Sequence, residues 1–375
     1  MSRGSLAMSA RFLIPHPNPP KRRKPMHRRT FLLTAAGGVL AGATGLPRLA
    51  RAADRPFTFT SWGGALSNAE KAAFIDPFGQ LKGIPVVNTS PTETAKIKAM
   101  VQAKAVEWDL VDVGGRTVWQ GANEGFLEPI DVSKIPNAAA LEKGWVAPNG
   151  IATSTGATVI AWSKTAFPDA GPQSWADFWD VKRFPGPRGL YRFFYYNYEA
   201  ALLASGLKPS EVFPYTTEKA DMAMAKIKEL KPHVTVWWGS GAQPPQLLSS
   251  GELALSSAWS GRVLAAEAEG APVGFTYKDG IAWANWWVIP KGSPNVELAH
   301  EAIDFALAEA QQAKLLALRT YGPVLSSATA GADADTKKIL VMSPDNIKDM
   351  LILNEGEADK YSVAYEEKWN QLMLQ

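Results

Sequence analysis

Short apolar segments alternate with amphipathic segments along this chain, and that alternation restricts the fold more than any other feature. Phe57–Ser61, Ile84–Asn88 and Trp108–Val113 have strand character, whereas residues 67–83 and Glu93–Ala105 have helical patterns. Strand, helix, strand, helix, strand at this spacing predicts a parallel sheet with helical crossovers. The alternation returns between residues 151 and 270. We therefore expect an α/β fold with two lobes, each a mainly parallel sheet flanked by helices.

Local signals predict where some of the helices begin and bend. Ser67 and Glu70 form a capping-box pattern, which predicts a helix that begins at Ser67. Pro77 predicts a kink or break in that helix, because proline cannot donate the backbone hydrogen bond. The end of the chain has a polar helical pattern, in which Glu366 and Glu367 are expected to be solvated.

Residues 1–52 are predicted to be an upstream extension followed by an export signal. Arg28–Leu32 has a twin-arginine pattern, Phe31–Pro47 is uncharged, and Ala50–Ala52 is a small-x-small cleavage signal. The apolar run is too short and too rich in glycine for a stable membrane span. We expect export to the periplasm by the twin-arginine pathway. The candidate translation starts are Met1, Met8 and Met26.

The charge of the whole chain is misleading, because the basic excess belongs to the export signal. Residues 1–52 hold ten Lys/Arg and no Asp/Glu, so the 39 basic side chains fall to 29 against 36 acidic ones, a formal charge of −7. That balance argues against nucleic-acid binding. The absence of cysteine excludes disulfides, thiolate metal sites, a cysteine nucleophile and a lipid-anchored N-terminal cysteine. We expect a freely soluble mature protein.

Ile281–Pro290 concentrates aromatic residues around one uncharged polar side chain. It contains Trp283, Trp286 and Trp287 together with Asn285. Aromatic faces beside one placed polar group suit a concave site for a small molecule. A short apolar run that ends at proline is also typical of a buried strand. We expect Trp286 and Trp287 to alternate between the site and the core.

Eight short motifs occur in a fixed order after the export signal, namely Trp62–Gly64, Trp108–Val111, Ser174–Asp177, Ser250–Leu253, Ala258–Gly261, Gly280–Pro290, Lys291–Pro294 and Tyr321–Pro323. With them, residues 55–375 resemble the spermidine/putrescine-type solute-binding proteins of bacterial ABC importers. The resemblance implies a type II periplasmic-binding-protein fold, in which two lobes close by hinge motion on a ligand in the cleft between them. It implies no enzymatic activity, no cofactor and no metal. The implied partner is an ABC permease and ATPase complex at the inner membrane, and we expect a monomer.

The resemblance also implies lobe boundaries and a ligand-binding set. Residues 53–153 and 285–320 would form the N-terminal lobe, and residues 154–284 and 321–375 the C-terminal lobe. Trp62, Trp259 and Trp283 match aromatic positions of the family. Arg262 is expected to be either solvated or a latch between the lobes. The full expected set is Trp62, Gly63, Gly64, Arg116, Arg192, Tyr196, Trp259, Arg262, Trp283, Asn285 and Tyr321.

Departures from the family pattern point away from a plain polyamine ligand. Asn285 stands where the family has an aspartate, although ammonium groups in a desolvated site need carboxylates. Arg116 follows the third strand in place of an aromatic residue, and Arg192 is expected near the cleft. Arginine binds carboxylates through two parallel hydrogen bonds. We therefore expect an acidic or zwitterionic ligand, such as an amino-acid-like or opine-like compound.

Three other functions stay open. The chain could bind spermidine or putrescine, as the family resemblance implies. Tyr195 and Tyr196 raise ferric-ion binding, although iron also needs hard anionic or imidazole partners, and the mature chain offers only His233 and His300. A ligand-sensing signalling protein on the same fold is the third. The motifs of common hydrolases, nucleotide-binding proteins and zinc proteases do not occur in this sequence.

Overall fold

The computed structural model describes residues 55–141 and 144–374, so the predicted extension and export signal lie outside the described residues. The strands are β1 Phe57–Thr60, β2 Val86–Thr89, β3 Leu110–Gly114, β4 Val146–Ala147, β5 Gly150–Ser163, β6 Arg188–Tyr191, β7 Val234–Trp238, β8 Leu255–Trp259, β9 Val273–Val288, β10 Gly322–Pro323 and β11 Leu351–Ile352. The strands predicted from the alternation are present, with ends displaced by a few residues.

The α-helices are α1 Gly64–Glu70, α2 Asp76–Lys82, α3 Thr94–Gln102, α4 Gly115–Glu124, α5 Trp175–Trp179, α6 Asn197–Ala204, α7 Pro209–Val212, α8 Thr217–Leu230, α9 Gln243–Ser250, α10 Ser260–Ala268, α11 Val296–Leu307, α12 Glu309–Ala317, α13 Ala334–Ile339, α14 Pro344–Ile347 and α15 Glu355–Leu374. Short 3₁₀ helices occupy Val132–Lys134, Pro136–Ala140, Lys231–His233 and Ser327–Thr329. Among the helices described, none is long and apolar enough to cross a membrane.

The strands form a single mixed sheet with parallel groups at both ends. Its order is β2-β1-β3-β9-β5-β8-β6-β7, and β4, β10 and β11 attach to the two central strands. β1 is parallel to β2 and β3, and β6 is parallel to β7 and β8. The predicted α/β alternation therefore gives two parallel groups, which the antiparallel pair β5 and β9 joins.

The two central strands pass from one hydrophobic core to another. Ile151 and Ala152 of β5 belong to a first core with β1, β3 and α11, whereas Ile160 and Trp162 of the same strand belong to a second core with α6 and α8. In β9 the change falls between Ile281 and the residues from Trp283 onwards. The strand ends of both parallel groups meet near this crossing, and that is where the candidate site lies.

The predicted start of the first helix was wrong. α1 begins at Gly64, and Ser67 is not its cap; the Ser67 hydroxyl instead accepts a hydrogen bond from the backbone N–H of Gly63 at 2.6 Å. Glu70 is buried against the sheet and does not reach back to the helix start. The irregularity expected at Pro77 is a π-helical turn over Lys71–Ile75, directly before α2. A capping pattern cannot distinguish a cap from a buried carboxylate.

Candidate functional site

Five aromatic residues from separate elements form one packed group, here called the aromatic cluster. Trp62 follows β1, Trp259 ends β8, and Trp283 lies in β9. The Trp259 ring centroid is 5.9 Å from that of Trp62 and 6.3 Å from that of Trp283. Tyr196 lies 6.2 Å from Trp283, and Tyr191 lies 5.8 Å from Trp259. The structure thus brings together the three predicted tryptophans and Tyr196, and it adds Tyr191.

Two glycines make room for the rings of the aromatic cluster. A β-carbon on Gly156 would lie 2.4 Å from the ring of Trp283, and one on Gly241 would lie 2.3 Å from the ring of Trp259. Both distances are far below van der Waals contact, so only glycine fits under these rings. The sequence alone did not single out either glycine. Each is required by a tryptophan ring that is distant in sequence, and only the fold shows that the two residues meet.

Arg262 joins the start of α10 to the loop that follows β1. Its side chain is buried, and its Nη2 donates to the backbone carbonyl of Gly63. Gly64 has a φ of +59°, and a β-carbon there would lie 1.8 Å from Nη1 of Arg262. Tyr321 lies beside the same helix start, where its ring leaves no space for a side chain on Gly261. Of the two expected roles for Arg262, the structure places it as a link between elements.

Burial raises the pKa of Tyr321 to about 12, although the neighbouring Arg262 guanidinium acts in the opposite direction. The phenol therefore stays protonated at neutral pH, and it can donate a hydrogen bond there. Gly63, Gly64, Arg262 and Tyr321, four of the predicted site residues, form a second group that adjoins the aromatic cluster through Trp62.

Three hydrogen-bond donors in these two groups have no partner among the described residues. They are Nε1 of Trp62, Nε1 of Trp259 and Nε of Arg262, and all three atoms are buried. A buried N–H without an acceptor costs about 1–3 kcal/mol, so native structures rarely leave one without a reason. The donors mark this region as one that suits an acceptor supplied by a ligand.

Asn285 occupies the central strand crossing and is held by its neighbours. It is buried, it pairs with Gly114 of β3 and Ser154 of β5, and its Nδ2 donates to the Ser154 hydroxyl at 3.0 Å. The Trp283 indole donates to Thr158 at 3.1 Å. An uncharged amide in this place avoids the cost of a buried unpaired carboxylate.

The adjacent tryptophans were predicted to alternate between site and core, and both are core residues. Trp287 is fully buried against Phe59 and Phe74, with ring centroids 4.9 and 5.6 Å away. Trp286 faces the opposite side of β9, where its ring lies 5.4 Å from that of Trp119.

Glu355 is a buried carboxyl that sequence reasoning missed. It begins α15, and a β-carbon on Gly115 would lie 1.1 Å from its Oε2. Burial raises the pKa of Glu355 to about 8, although the nearby Trp286 indole and the Ala284 backbone act against the rise. The carboxyl lies against Gly115, the residue after Gly114, and Gly114 pairs with Asn285 of β9, so the carboxyl lies near the strand that carries Trp283. Asn354, the helix-capping residue before it, was the available sequence signal.

The two arginines predicted near the cleft contact groups other than the aromatic cluster's own rings. Arg116 donates to Glu366 of α15 at 2.5 Å, and its guanidinium lies 5.4 Å from the Phe194 ring. Glu366 was expected to be solvated; it is instead half-buried in this ion pair, because α15 packs against α4. Arg192 is exposed and lies over the Phe193 ring at 4.6 Å.

A pair of buried carboxyls lies below the loop that carries Trp62. Ser61 donates to Glu70 and lies 3.3 Å from Oδ2 of Asp112, while the Trp287 indole donates to Glu70 at 2.9 Å. Burial raises the pKa of Glu70 to about 7. Burial, together with the charge of Glu70, raises the pKa of Asp112 well above its usual range. The pair therefore holds protons at pH values at which ordinary carboxyls are ionised.

The tyrosines behind the ferric-ion alternative are poorly suited to become tyrosinates. Burial raises the pKa of both Tyr195 and Tyr196, so both hydroxyls stay protonated at neutral pH. Within residues 55–141 and 144–374, no group of three or more His, Cys, Asp or Glu residues is placed to hold a metal ion.

Aromatic rings, glycines and unpartnered buried donors come together at the strand ends of this mixed α/β chain. These are the features of a small-molecule binding protein. Residues 73–341 match the bacterial extracellular solute-binding protein family, and the chain belongs to that family. It is the substrate-binding component of an ABC importer, in a family whose members deliver small solutes to a permease.

The relatives are described as binding different small solutes. The chain is 36% identical to a gamma-aminobutyric acid-binding protein of Pseudomonas aeruginosa, over 80% of this chain and 85% of the relative. It is 27% identical to a spermidine/putrescine-binding periplasmic protein of Haemophilus influenzae, over 64% and 68%. The crystal structure of MotA from A. tumefaciens B6 with glucopine matches with a TM-score of 0.80 at 29% identity, over 85% of this chain and 99% of MotA.

Proposed function

We propose that the aromatic cluster and the Arg262 group bind a small solute that carries a carboxylate, and that 4-aminobutyrate or a similar zwitterion is that solute. The observation that carries the proposal is the set of three buried donors, on Trp62, Trp259 and Arg262, that find no acceptor within residues 55–141 and 144–374. A carboxylate has two oxygens and about four acceptor sites, and a charged acceptor forms shorter and stronger hydrogen bonds than a neutral one.

The aromatic rings suit the body of such a ligand. Trp259 and Trp283 offer apolar faces for a short methylene chain, and two relatives bind gamma-aminobutyric acid and glucopine. The neutral Asn285 argues against a ligand with two ammonium groups, because each would need a paired carboxylate in a desolvated site. A spermidine/putrescine ligand is the alternative that the experiment below distinguishes.

The capture would involve hinge closure between two lobes. Residues 53–153 and 285–320 would form one lobe, and residues 154–284 and 321–375 the other. Two features support this division: β5 and β9 each contribute to both hydrophobic cores, and few other strands connect them. Under this division, the hydrogen bond from Arg262 to Gly63 joins the two lobes, and it would stabilise the closed state.

The remaining parts of the proposal concern the setting of the protein. It would be a monomer, exported to the periplasm by the twin-arginine pathway, and it would pass its ligand to a permease and ATPase complex. It would have no enzymatic activity. The N-terminal sequence of the secreted protein would test the cleavage site. Loss of the protein from the periplasm when the two arginines are replaced by lysine would test the export route.

Calorimetric titration with three ligands of equal chain length tests the ligand class. 4-Aminobutyrate has both charges, butyrate has only the carboxylate, and putrescine has two ammonium groups. We expect 4-aminobutyrate to bind most tightly and putrescine to bind least. Arg262→Gln should weaken 4-aminobutyrate about tenfold or more, because a charged donor is lost. Arg183→Gln, which removes an exposed arginine, is the matched control.

Tight binding of putrescine or spermidine that no carboxylate ligand can displace would overturn the proposed ligand class. If Arg262→Gln unfolds cooperatively, as a folded protein does, and still binds 4-aminobutyrate with unchanged affinity, the guanidinium does not take part in ligand binding.

A further inference from the structure

The chain returns to the candidate site at the junction of β11 and α15. Leu351 and Ile352 pair in parallel with Ile281 and Ala282 of β9, and the N–H of Leu353 donates to the carbonyl of Ala282 at 2.9 Å. This pairing fixes the start of α15 beside the strand that carries Trp283. Glu355, the first residue of the helix, is therefore placed by backbone hydrogen bonds and not by a mobile tail.

The carboxyl group of Glu355 occupies a space that only glycines leave free. Its Oε2 takes the position that a β-carbon on Gly115 would fill, and a β-carbon on the next residue, Gly356, would lie 2.4 Å from the Trp119 indole. Oε2 is buried and has no hydrogen-bond partner among the described residues. Two glycines and a strand pairing thus hold an acid with one unpartnered oxygen beside Trp119 and the strand that carries Trp283.

A structural role alone does not account for this arrangement. A buried carboxyl without a cation beside it keeps its proton at neutral pH, and it becomes a carboxylate there only when a cation pairs with it. Glu70 accepts from Ser61 and Trp287, and Asp109 accepts from Arg55 and Ser293. Glu199 and Asp112 each have one oxygen without a partner among the described residues, but the other oxygen accepts from Tyr215 and Ser61, respectively. Arg116, which follows Gly115 in the chain, is already paired with Glu366. Glu355 thus has an open acceptor that a cation from outside the chain could use.

We propose that Glu355 is the acceptor for the ammonium group of the ligand, and that it selects amine-bearing carboxylates over carboxylates without an amine. This inference rests on the proposed function, since it places the second charge of the zwitterion. The ammonium donates to the free oxygen of Glu355, and the ring of Tyr196, 6.2 Å from that of Trp283, provides a face that attracts a cation. The donors on Trp62, Trp259 and Arg262 receive the other end of the same molecule.

With Glu355 at one end and the three donors at the other, the site can exclude both diamines and carboxylic acids that lack an amine. A diamine would leave the donors near Arg262 without an acceptor and would place a second ammonium near a guanidinium. A plain carboxylic acid would leave Glu355 unpaired. Only a molecule with both an ammonium and a carboxylate satisfies both ends of the site. Any other ligand leaves a buried group without a partner, and that cost lowers its affinity relative to the zwitterion.

The experiment measures the affinities of 4-aminobutyrate, 4-hydroxybutyrate and butyrate by calorimetry at one pH. 4-Hydroxybutyrate replaces the ammonium by a neutral group of the same size. We expect the wild-type protein to prefer 4-aminobutyrate over 4-hydroxybutyrate by about 10- to 100-fold, the range for a charge-assisted hydrogen bond in a buried site. In Glu355→Gln, which keeps the shape of the side chain, that preference should fall to less than about threefold.

Glu366→Gln, on the same helix, is the matched control and should keep the wild-type preference. A wild-type protein that binds 4-aminobutyrate without preferring it over 4-hydroxybutyrate overturns the role of Glu355, and this result needs no variant. A Glu355→Gln protein that retains the full preference also overturns the role of Glu355. In both cases the proposed carboxylate site is unaffected. If the wild-type protein binds none of the three ligands, the proposed function fails, and this inference fails with it.

Discussion

Replacement of Glu70 by glutamine should remove a pH dependence that the buried carboxyl pair gives to the folded state. The carboxyl of Glu70 has a pKa of about 7 in the folded protein, against 4.5 ordinarily, because burial disfavours its charge. Between these two values the unfolded chain is ionised at this position and the folded chain is protonated. Stability is therefore highest at low pH and falls as the pH rises from about 4.5 through 7.

The size of the effect follows from the shift. At about 1.4 kcal/mol per pKa unit, a shift from 4.5 to about 7 corresponds to about 3 kcal/mol, a sizeable part of a typical folding free energy. The glutamine side chain in Glu70→Gln would keep an oxygen for the Trp287 indole, and its amide could donate to the neighbouring Asp112. We therefore expect Glu70→Gln to match wild type at pH 5 and to be more stable at pH 8.

Thermal unfolding of both proteins at pH 5 and pH 8 measures this difference. About 3 kcal/mol should appear at pH 8 as a rise of roughly 5 °C in Tm. Glu124→Gln is the control, because an exposed carboxyl whose pKa is lowered by Lys98 stays ionised throughout this range. A gap between Glu70→Gln and wild type that is the same at both pH values would refute the reasoning, as would a variant less stable than wild type at pH 8.

Three further substitutions test the site and its supports. Gly64→Ala should lose both stability and ligand affinity, since it adds strain at positive φ and displaces the arginine above it; Gly83→Ala, with a similar φ and open space, should lose only about 1 kcal/mol of stability. Asn285→Asp should weaken 4-aminobutyrate at least about tenfold in calorimetry and improve putrescine, because it adds a buried negative charge. Glu366→Gln should change the unfolding free energy by less than about 1 kcal/mol, since its pair with Arg116 is partly exposed; a loss of several kcal/mol would contradict this.

Local patterns were enough to predict the architecture. The alternation of apolar and amphipathic segments predicted both parallel groups. The family resemblance implied Trp62, Trp259 and Trp283 as site residues, and these three do pack together. These features depend on periodicity and on short segments, which a single sequence carries.

The features that sequence reasoning missed depend on contacts between distant segments. Glu70 resembles a helix cap but is buried against the sheet, and Arg116 finds its partner 250 residues away in the last helix. The same packing places Glu355 against Gly115. The many charged residues of the last helix led to the expectation that Glu366 and Glu367 are solvated. The few residues that bury this helix, such as Tyr365 and Trp369, stand among the charged ones and do not form an obvious apolar pattern.

The most direct test of the account is a crystal structure of the protein with 4-aminobutyrate bound. We expect a carboxylate oxygen of the ligand to lie about 3 Å from the guanidinium of Arg262 or from an indole nitrogen of Trp62 or Trp259. The ammonium should lie at a similar distance from Glu355. A ligand bound in the reverse orientation, with its carboxylate towards Glu355, or bound away from the aromatic cluster, would contradict it.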